Sequence, residues 1–188
     1  MAVERVGAAE AADVLARAFL DDPVLTYLVR PREVRLVLGA LCLDGIAEGI
    51  RADGRLVAAS VWLPPGRHSS PLRQLPSWGR LAVRNPPAVP RLLRAGRTLD
   101  ALHPQEPHWF LSLLGVLPEL QGAGLGSALV APGLERAAGE VVHLDTGRPE
   151  NVPWYRRFGF DLAAEVRAVP GAPPSWAMRA QPSALTRL

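Results

Sequence analysis

Gln121-Gly122-Ala123-Gly124-Leu125-Gly126-Ser127 decides how the rest of the chain is read. Its three glycines alternate with small or apolar residues, so successive backbone N–H groups can turn into one concavity with no Cβ in a ligand's way. An apolar run ends just before it at Val116, and helix-like periodicity begins near Ser127. The stretch is therefore a strand-to-helix turn. There the helix dipole and the unpaired N–H groups of the first turn favour a phosphate, and a pyrophosphate is the expected ligand.

Outward from this turn, the C-terminal half reads as β-α-β-α. Residues 109–117 form a buried strand, 124–139 a helix, 141–145 a second strand and 152–158 a short helix. Pro132-Gly133 is expected to break and kink the middle of the first helix. The segment N-V-P-W-Y-R-R-F-G-F, from Asn151 to Phe160, has its own local logic. Asn151 is a good N-cap, Pro153 is tolerated in the first turn, and Gly159 can take the left-handed conformation that ends the helix before Phe160 starts a strand. Asn151 and Tyr155 stand one turn apart and can address the same ligand. Packing alone is the alternative for Trp154, Tyr155 and Phe158.

The N-terminal half is less punctuated. Residues 8–20 place Ala12, Leu15, Ala16, Phe19 and Leu20 near one helical face, and Asp21-Asp22-Pro23 ends the run. Helical material continues over 24–49, broken at Pro31. Residues 55–63 read as a strand whose preceding Asp53-Gly54 suggests a hairpin. Residues 64–90, rich in Pro, Ser and Arg, read as loop, and 89–102 as a helix. Neither a linker nor a repeat divides the chain, so one domain over 1–182 with a tail at 183–188 is expected.

Composition narrows the function classes. A chain of 188 residues with 48% hydrophobic content and net charge +3 suits one well-filled core. All 21 basic residues are arginine, so Walker and Schiff-base lysines are excluded. A pI near 9.9 favours an anionic partner. The arginines are scattered and the aromatics do not interleave with them, so no nucleic-acid partner is expected. Cys42 is the single cysteine, and Glu4 and Glu10 stand where a secretory signal would carry basic and apolar residues. A cytoplasmic location is expected. The longest apolar run, 36–43, stops at Asp44, short of the ~20 residues a membrane span needs, so no membrane partner is expected.

The glycine turn alone is weakly specific. It is one residue from a dinucleotide-binding fingerprint, and Asp145 lies about where a ribose-binding acid would stand. Such a fold would open on this loop, whereas here more than half of the chain precedes it. It would also have no role for Gln121 or the Asn151 segment.

Together, the glycine turn and the Asn151 segment, at this spacing, resemble the cofactor site of the GCN5-related N-acetyltransferase (GNAT) family. The resemblance is specific over residues 107–178 and general before them, including A-F-L-D-D-P at 18–23. It implies an α/β (α+β) fold with a mixed, splayed central β-sheet flanked by helices on both faces. It further implies that residues 121–127 cradle the pyrophosphate of acetyl-CoA and that the backbone of Leu114, Gly115 and Val116 pairs with the pantetheine arm. Acetyl would pass by direct attack to a primary amine of a small molecule, such as an aminonucleoside antibiotic or related metabolite, which would make antibiotic resistance the role. Protein N-termini and polyamines are alternative acceptors, and a non-catalytic acyl-CoA sensor is the alternative from another class. The protein would act as a monomer or homodimer.

Such a transfer needs a neutral amine, stabilisation of the developing oxyanion and a proton for the departing thiolate. Tyr155, which matches a tyrosine of the family, is the candidate general acid, and Asn151 joins it at the cofactor. Gly115 or Val116 N–H could polarise the carbonyl. Asp145, where relatives often carry glutamate, is the candidate base, directly or through water; capping the following turn is its structural alternative. His108 is a further candidate base, His143 would face the same side as Asp145 and pack, and Asp21, Asp22 and Tyr27 either line an acceptor pocket or simply end a helix. The four histidines show no ligand spacing, so no metal is expected.

Overall fold

The computed structural model describes residues 2–67, 71–137 and 139–181. Seven strands form one sheet: β1 (Val3–Arg5), β2 (Ile46–Ala52), β3 (Arg55–Leu63), β4 (His108–Val116), β5 (Val141–Thr146), β6 (Phe160–Arg167) and β7 (Pro174–Ala180). Their order is β1-β2-β3-β4-β5-β7-β6. Every pairing is antiparallel except β4 with β5. Among the described residues seven α-helices accompany them: α1 (Ala8–Ala18), α2 (Pro23–Leu28), α3 (Pro31–Cys42), α4 (Pro71–Arg84), α5 (Ala88–Asp100), α6 (Leu125–Arg136) and α7 (Asn151–Arg156). The result is the expected mixed, splayed sheet with helices on both faces. Residues 183–188, expected as a tail, lie outside the described residues.

Local signals explain many of the boundaries. Asp53 and Gly54 both have positive φ, 50° and 76°, as a two-residue turn between right-twisted strands requires, and they join β2 to β3. Asp22 caps α2 by accepting from Val24 and Leu25 N–H at 3.1 and 2.8 Å. Pro31 opens α3, and Glu33 accepts from Arg30 N–H at 3.0 Å. α1 buries Ala11, Ala12, Val14 and Leu15, a helical spacing that seats it on the sheet.

Four expectations are corrected. Helical structure after residue 24 ends at Cys42, and residues 46–49 belong to β2, where pairing with β3 buries Ala47 to Ile50. The stretch read as loop, 64–90, carries α4 and the start of α5. Pro90 falls in the first turn of α5, where its missing N–H is harmless, and Leu81 is buried on α4. Pro132-Gly133 does not break α6, which runs on to Arg136. The first residue of the Asn151 segment also behaves differently: Glu150 occupies the N-cap position, and the Asn151 side chain donates instead to Thr146 Oγ1 at 3.0 Å.

The sheet opens in its middle. β4 and β5 pair only from His108↔Val141 to Leu111↔Leu144, although β4 continues to Val116. At that point β4 steps from Leu111 to Leu113 while β3 steps only from Trp62 to Val61, so Ser112 is the extra residue of a bulge. The bulge turns β4 away from β5. The β4 backbone beyond Leu111 then pairs with β3 on one side alone, and its other edge faces a gap.

Candidate active site

The gap between β4 and β5 is a cavity of about 650 Å³, within the range of small-molecule and cofactor pockets. Leu114, Gly115 and Val116 line one wall and Asp145 the other. Gly115 is required there by α1: an added Cβ would stand 2.7 Å from Ala18 Cβ.

The glycine turn closes one end. After Val116 the chain makes a 3-10 turn at Pro118–Leu120, and Gln121 then donates from its side chain back to the Val116 carbonyl at 3.3 Å. Gly122 and Gly124 have φ of 83° and 82°, the left-handed region, and a Cβ at either would meet nothing within 4 Å. Gly124 is the N-cap of α6, so the N–H groups of Leu125, Gly126 and Ser127 have no intrahelical partner. Gln121, Gly122, Gly124, Leu125, Gly126 and Ser127 all line the cavity, while Ala123 does not. This is an anion-binding cradle with open space above its glycines.

α7 lines the cavity beside that turn, with Trp154 Cζ2 3.4 Å from where a Cβ on Gly126 would stand. Asn151 and Tyr155 both line the cavity, as their helical spacing predicts. Tyr155 is 6% exposed, held edge-on between Trp154 and Phe160 at ring separations of 4.8 and 5.7 Å. The hydroxyl is protonated at neutral pH, and burial pushes the phenol still further up from the ordinary value of 10. Gly159, φ 82°, ends this segment as expected.

Acidic groups also line the cavity. The Asp145 side chain is 15% exposed, and its Oδ1 lies 3.6 Å from His143 Nε2. Asp22 also lines the cavity, and burial raises its carboxyl above 3.8. It therefore both caps α2 and reaches the site. Arg148, on the loop after β5, binds Asp21 and Glu150 and joins the N-terminal helices to this rim. Two expected substrate residues stand elsewhere. Tyr27 donates to the Pro170 carbonyl at 3.2 Å, and His108 sits at the start of β4 with its ring engaged by His103 and the Glu106 carbonyl. Neither lines the cavity.

Sequence reading missed Phe19, Ser112, Thr146, Arg148, Trp154 and Arg157, which also line it. Ser112 and Thr146 had no signal of their own, because their positions depend on the splay. Arg157, beside the Tyr155 motif in a chain expected to hold pyrophosphate, could have been found as an anion contact.

Residues 90–160 match the model of the Acetyltransferase (GNAT) family. Among solved structures, the chain is similar to the histone acetyltransferase HPA2 and related acetyltransferase of Corynebacterium glutamicum, with 21% identity and TM-score 0.71, covering 96% of this chain and 95% of that one. It is similar to the polyamine N-acetyltransferase of Drosophila melanogaster at 17% identity and TM-score 0.64, covering 96% and 99%. A third likeness is to arylalkylamine N-acetyltransferase 2 of Aedes aegypti, 14% identity and TM-score 0.63, covering 96% and 98%. The architecture, an open seven-stranded sheet flanked by helices, is that of the GNAT fold.

Proposed function

We propose that this chain is a GNAT-family N-acetyltransferase that moves acetyl from acetyl-CoA to a primary amine of a small molecule by direct attack. The observation that carries this reading is the joining of three elements in one cavity: the unpaired edge of β4, the glycine-capped start of α6, and Tyr155. The open space over Gly122 and Gly124 fits a pyrophosphate, and the free β4 edge at Leu114, Gly115 and Val116 fits the amide-bearing pantetheine arm.

In the proposed reaction the amine nitrogen forms a bond to the acetyl carbonyl carbon and the carbon–sulfur bond breaks. Asp145, directly or through water, takes the proton lost by the amine. A backbone N–H of Gly115 or Val116 steadies the negative charge that develops on the carbonyl oxygen, a contribution worth about 10²–10³ in rate at comparable sites. Tyr155, protonated at neutral pH like any phenol and more firmly so for being buried, delivers its proton to the departing thiolate. Cys42, 2% exposed in α3 and away from the cavity, has its thiol pushed up to about 12, which supports direct transfer over an acyl-cysteine route.

An aminonucleoside antibiotic or related metabolite is the proposed acceptor by analogy with puromycin N-acetyltransferase, whose resemblance covers residues 107–178 and not the N-terminal half that sets acceptor choice. A second reading, a polyamine acceptor, is favoured by Asp22, Asp145 and Glu150 on the wall. The Drosophila relative is itself a polyamine N-acetyltransferase. Calorimetry with acetyl-CoA, with thiol release against pooled aminonucleosides and polyamines, tests both. Acceptor-dependent release identifies the class, and failure to bind acetyl-CoA overturns the proposal.

A further inference from the structure

His103, in the turn after α5, and His143 and Asp145, on β5, are far apart in sequence but meet beside the cavity wall. Two residues apart on one strand, His143 and Asp145 face the same side. The sheet register sets His143 between Phe110 of β4 and Arg179 of β7. The His143 ring is fully buried, and neither of its nitrogens has a hydrogen-bond partner among the described residues. Asp145 Oδ1 is equally buried and makes no hydrogen bond among the described residues, its contact with His143 Nε2 standing at 3.6 Å. Leaving such groups unsatisfied costs about 1–3 kcal/mol each, so the arrangement asks for something that binds all of them.

His103 completes the set. Its ring centroid is 4.4 Å from that of His143. One ligating atom from each of His103, His143 and Asp145 lies within 4.8 Å of the other two. A carbonyl only accepts, so His108 Nδ1 donates to the Glu106 oxygen at 2.9 Å. His108 Nε2 then accepts from His103 Nδ1–H at 3.0 Å, which leaves Nε2 of His103 as a bare lone pair. The same bond holds the His103 ring in place, as an outer partner does for a metal-bound imidazole.

We propose that His103, His143 and Asp145 bind a divalent transition-metal cation of the zinc class. Two imidazoles and a carboxylate, with no thiolate, suit zinc, cobalt or nickel better than the all-oxygen sites of magnesium and calcium. Bonds of about 2.0–2.2 Å in a tetrahedron separate neighbouring donors by about 3.3 Å. The 3.6 Å between His143 Nε2 and Asp145 Oδ1 is close to that, and the half-buried His103 offers the third donor within 4.8 Å of both. Three protein ligands leave one coordination position open. Arg179, whose guanidinium donates to the Leu102 carbonyl, opposes a dication and makes the site weaker than a purely structural one. A cation here would occupy the carboxylate proposed as general base, so zinc inhibits transfer if that reading holds. Binding itself does not depend on it.

The test uses the full, untagged chain after EDTA treatment, with no acetyl-CoA or amine present. Zinc chloride is titrated by calorimetry and cobalt chloride by visible absorption. The expected result is one ion per chain, with affinity reduced at least tenfold in both His143→Gln and His103→Ala. Circular dichroism checks folding; should His143→Gln not fold, the exposed-side variant His103→Ala decides alone. Absence of saturable binding, or binding undiminished by these substitutions, overturns the site while leaving the acetyltransferase proposal standing.

Discussion

Gly133 of α6 lies flat against the indole of Trp62 in β3: a Cβ added at residue 133 would come 2.2 Å from Trp62 Cζ2. Trp62 is completely buried. The glycine lets α6 approach the sheet closely, and α6 is the helix whose N-terminus forms the anion cradle. Gly133→Ala gains up to about 1 kcal/mol in helix propensity but overpacks this contact. A net loss of about 1–3 kcal/mol is expected, read as a fall in Tm of about 2–4 °C per kcal/mol in a calorimetric scan. An unchanged or higher Tm would show that the helix can back away.

Tyr155 is packed by its ring and is proposed to act through its hydroxyl, so Tyr155→Phe separates the two. Turnover with an identified acceptor should drop by about 10²–10⁴, the span of general acid catalysis, with acetyl-CoA affinity nearly unchanged. Turnover within a few-fold of the parent would remove Tyr155 from the acid role.

At Gly124 the left-handed φ of 82° penalises any side chain by about 1–2 kcal/mol, and the open space beyond is where the ligand's phosphates are proposed to lie. Gly124→Ala should lower Tm slightly and weaken acetyl-CoA binding about tenfold, equal to about 1.4 kcal/mol. Calorimetric titration giving the parental Kd would argue against the cradle.

Asp22 gives a prediction in pH. Burial raises its folded carboxyl above 3.8, outweighing the N–H groups of Leu25 and Val24. The folded protein therefore holds the proton more tightly than the unfolded chain. The associated stability is full below 3.8 and is lost as pH rises through the folded value. Asp22→Asn keeps a capping oxygen and removes the titration, so the Tm of the variant minus that of the parent should increase from about pH 4 to pH 7. A pH-independent difference would refute the assignment.

Much of the site was legible because its signals are local. A left-handed Gly124 before a helix, Asn151 and Tyr155 on one turn, and Gly159 as a stop are properties of a few consecutive residues. The Asp53-Gly54 hairpin followed from the same kind of evidence. Misreadings arose where distant packing overrode composition. Residues 71–84 are helical despite Pro76, with Leu81 buried, and Gly133 of the Pro132-Gly133 pair, read as a break, is an accommodation to Trp62, from far earlier in the chain.

By itself the sequence determined the strand–glycine turn–helix unit and the short helix bearing Tyr155, because backbone conformation and capping depend on residues within a turn or two of each other. Tertiary structure alone decided that β4 leaves β5 after Leu111, that His108 and Tyr27 stand away from the cavity, and that His103, His143 and Asp145 come within 4.8 Å of one another. Those outcomes depend on which strands pair and where a bulge falls, and that is set by burial summed over the whole sheet, which no short stretch of residues encodes.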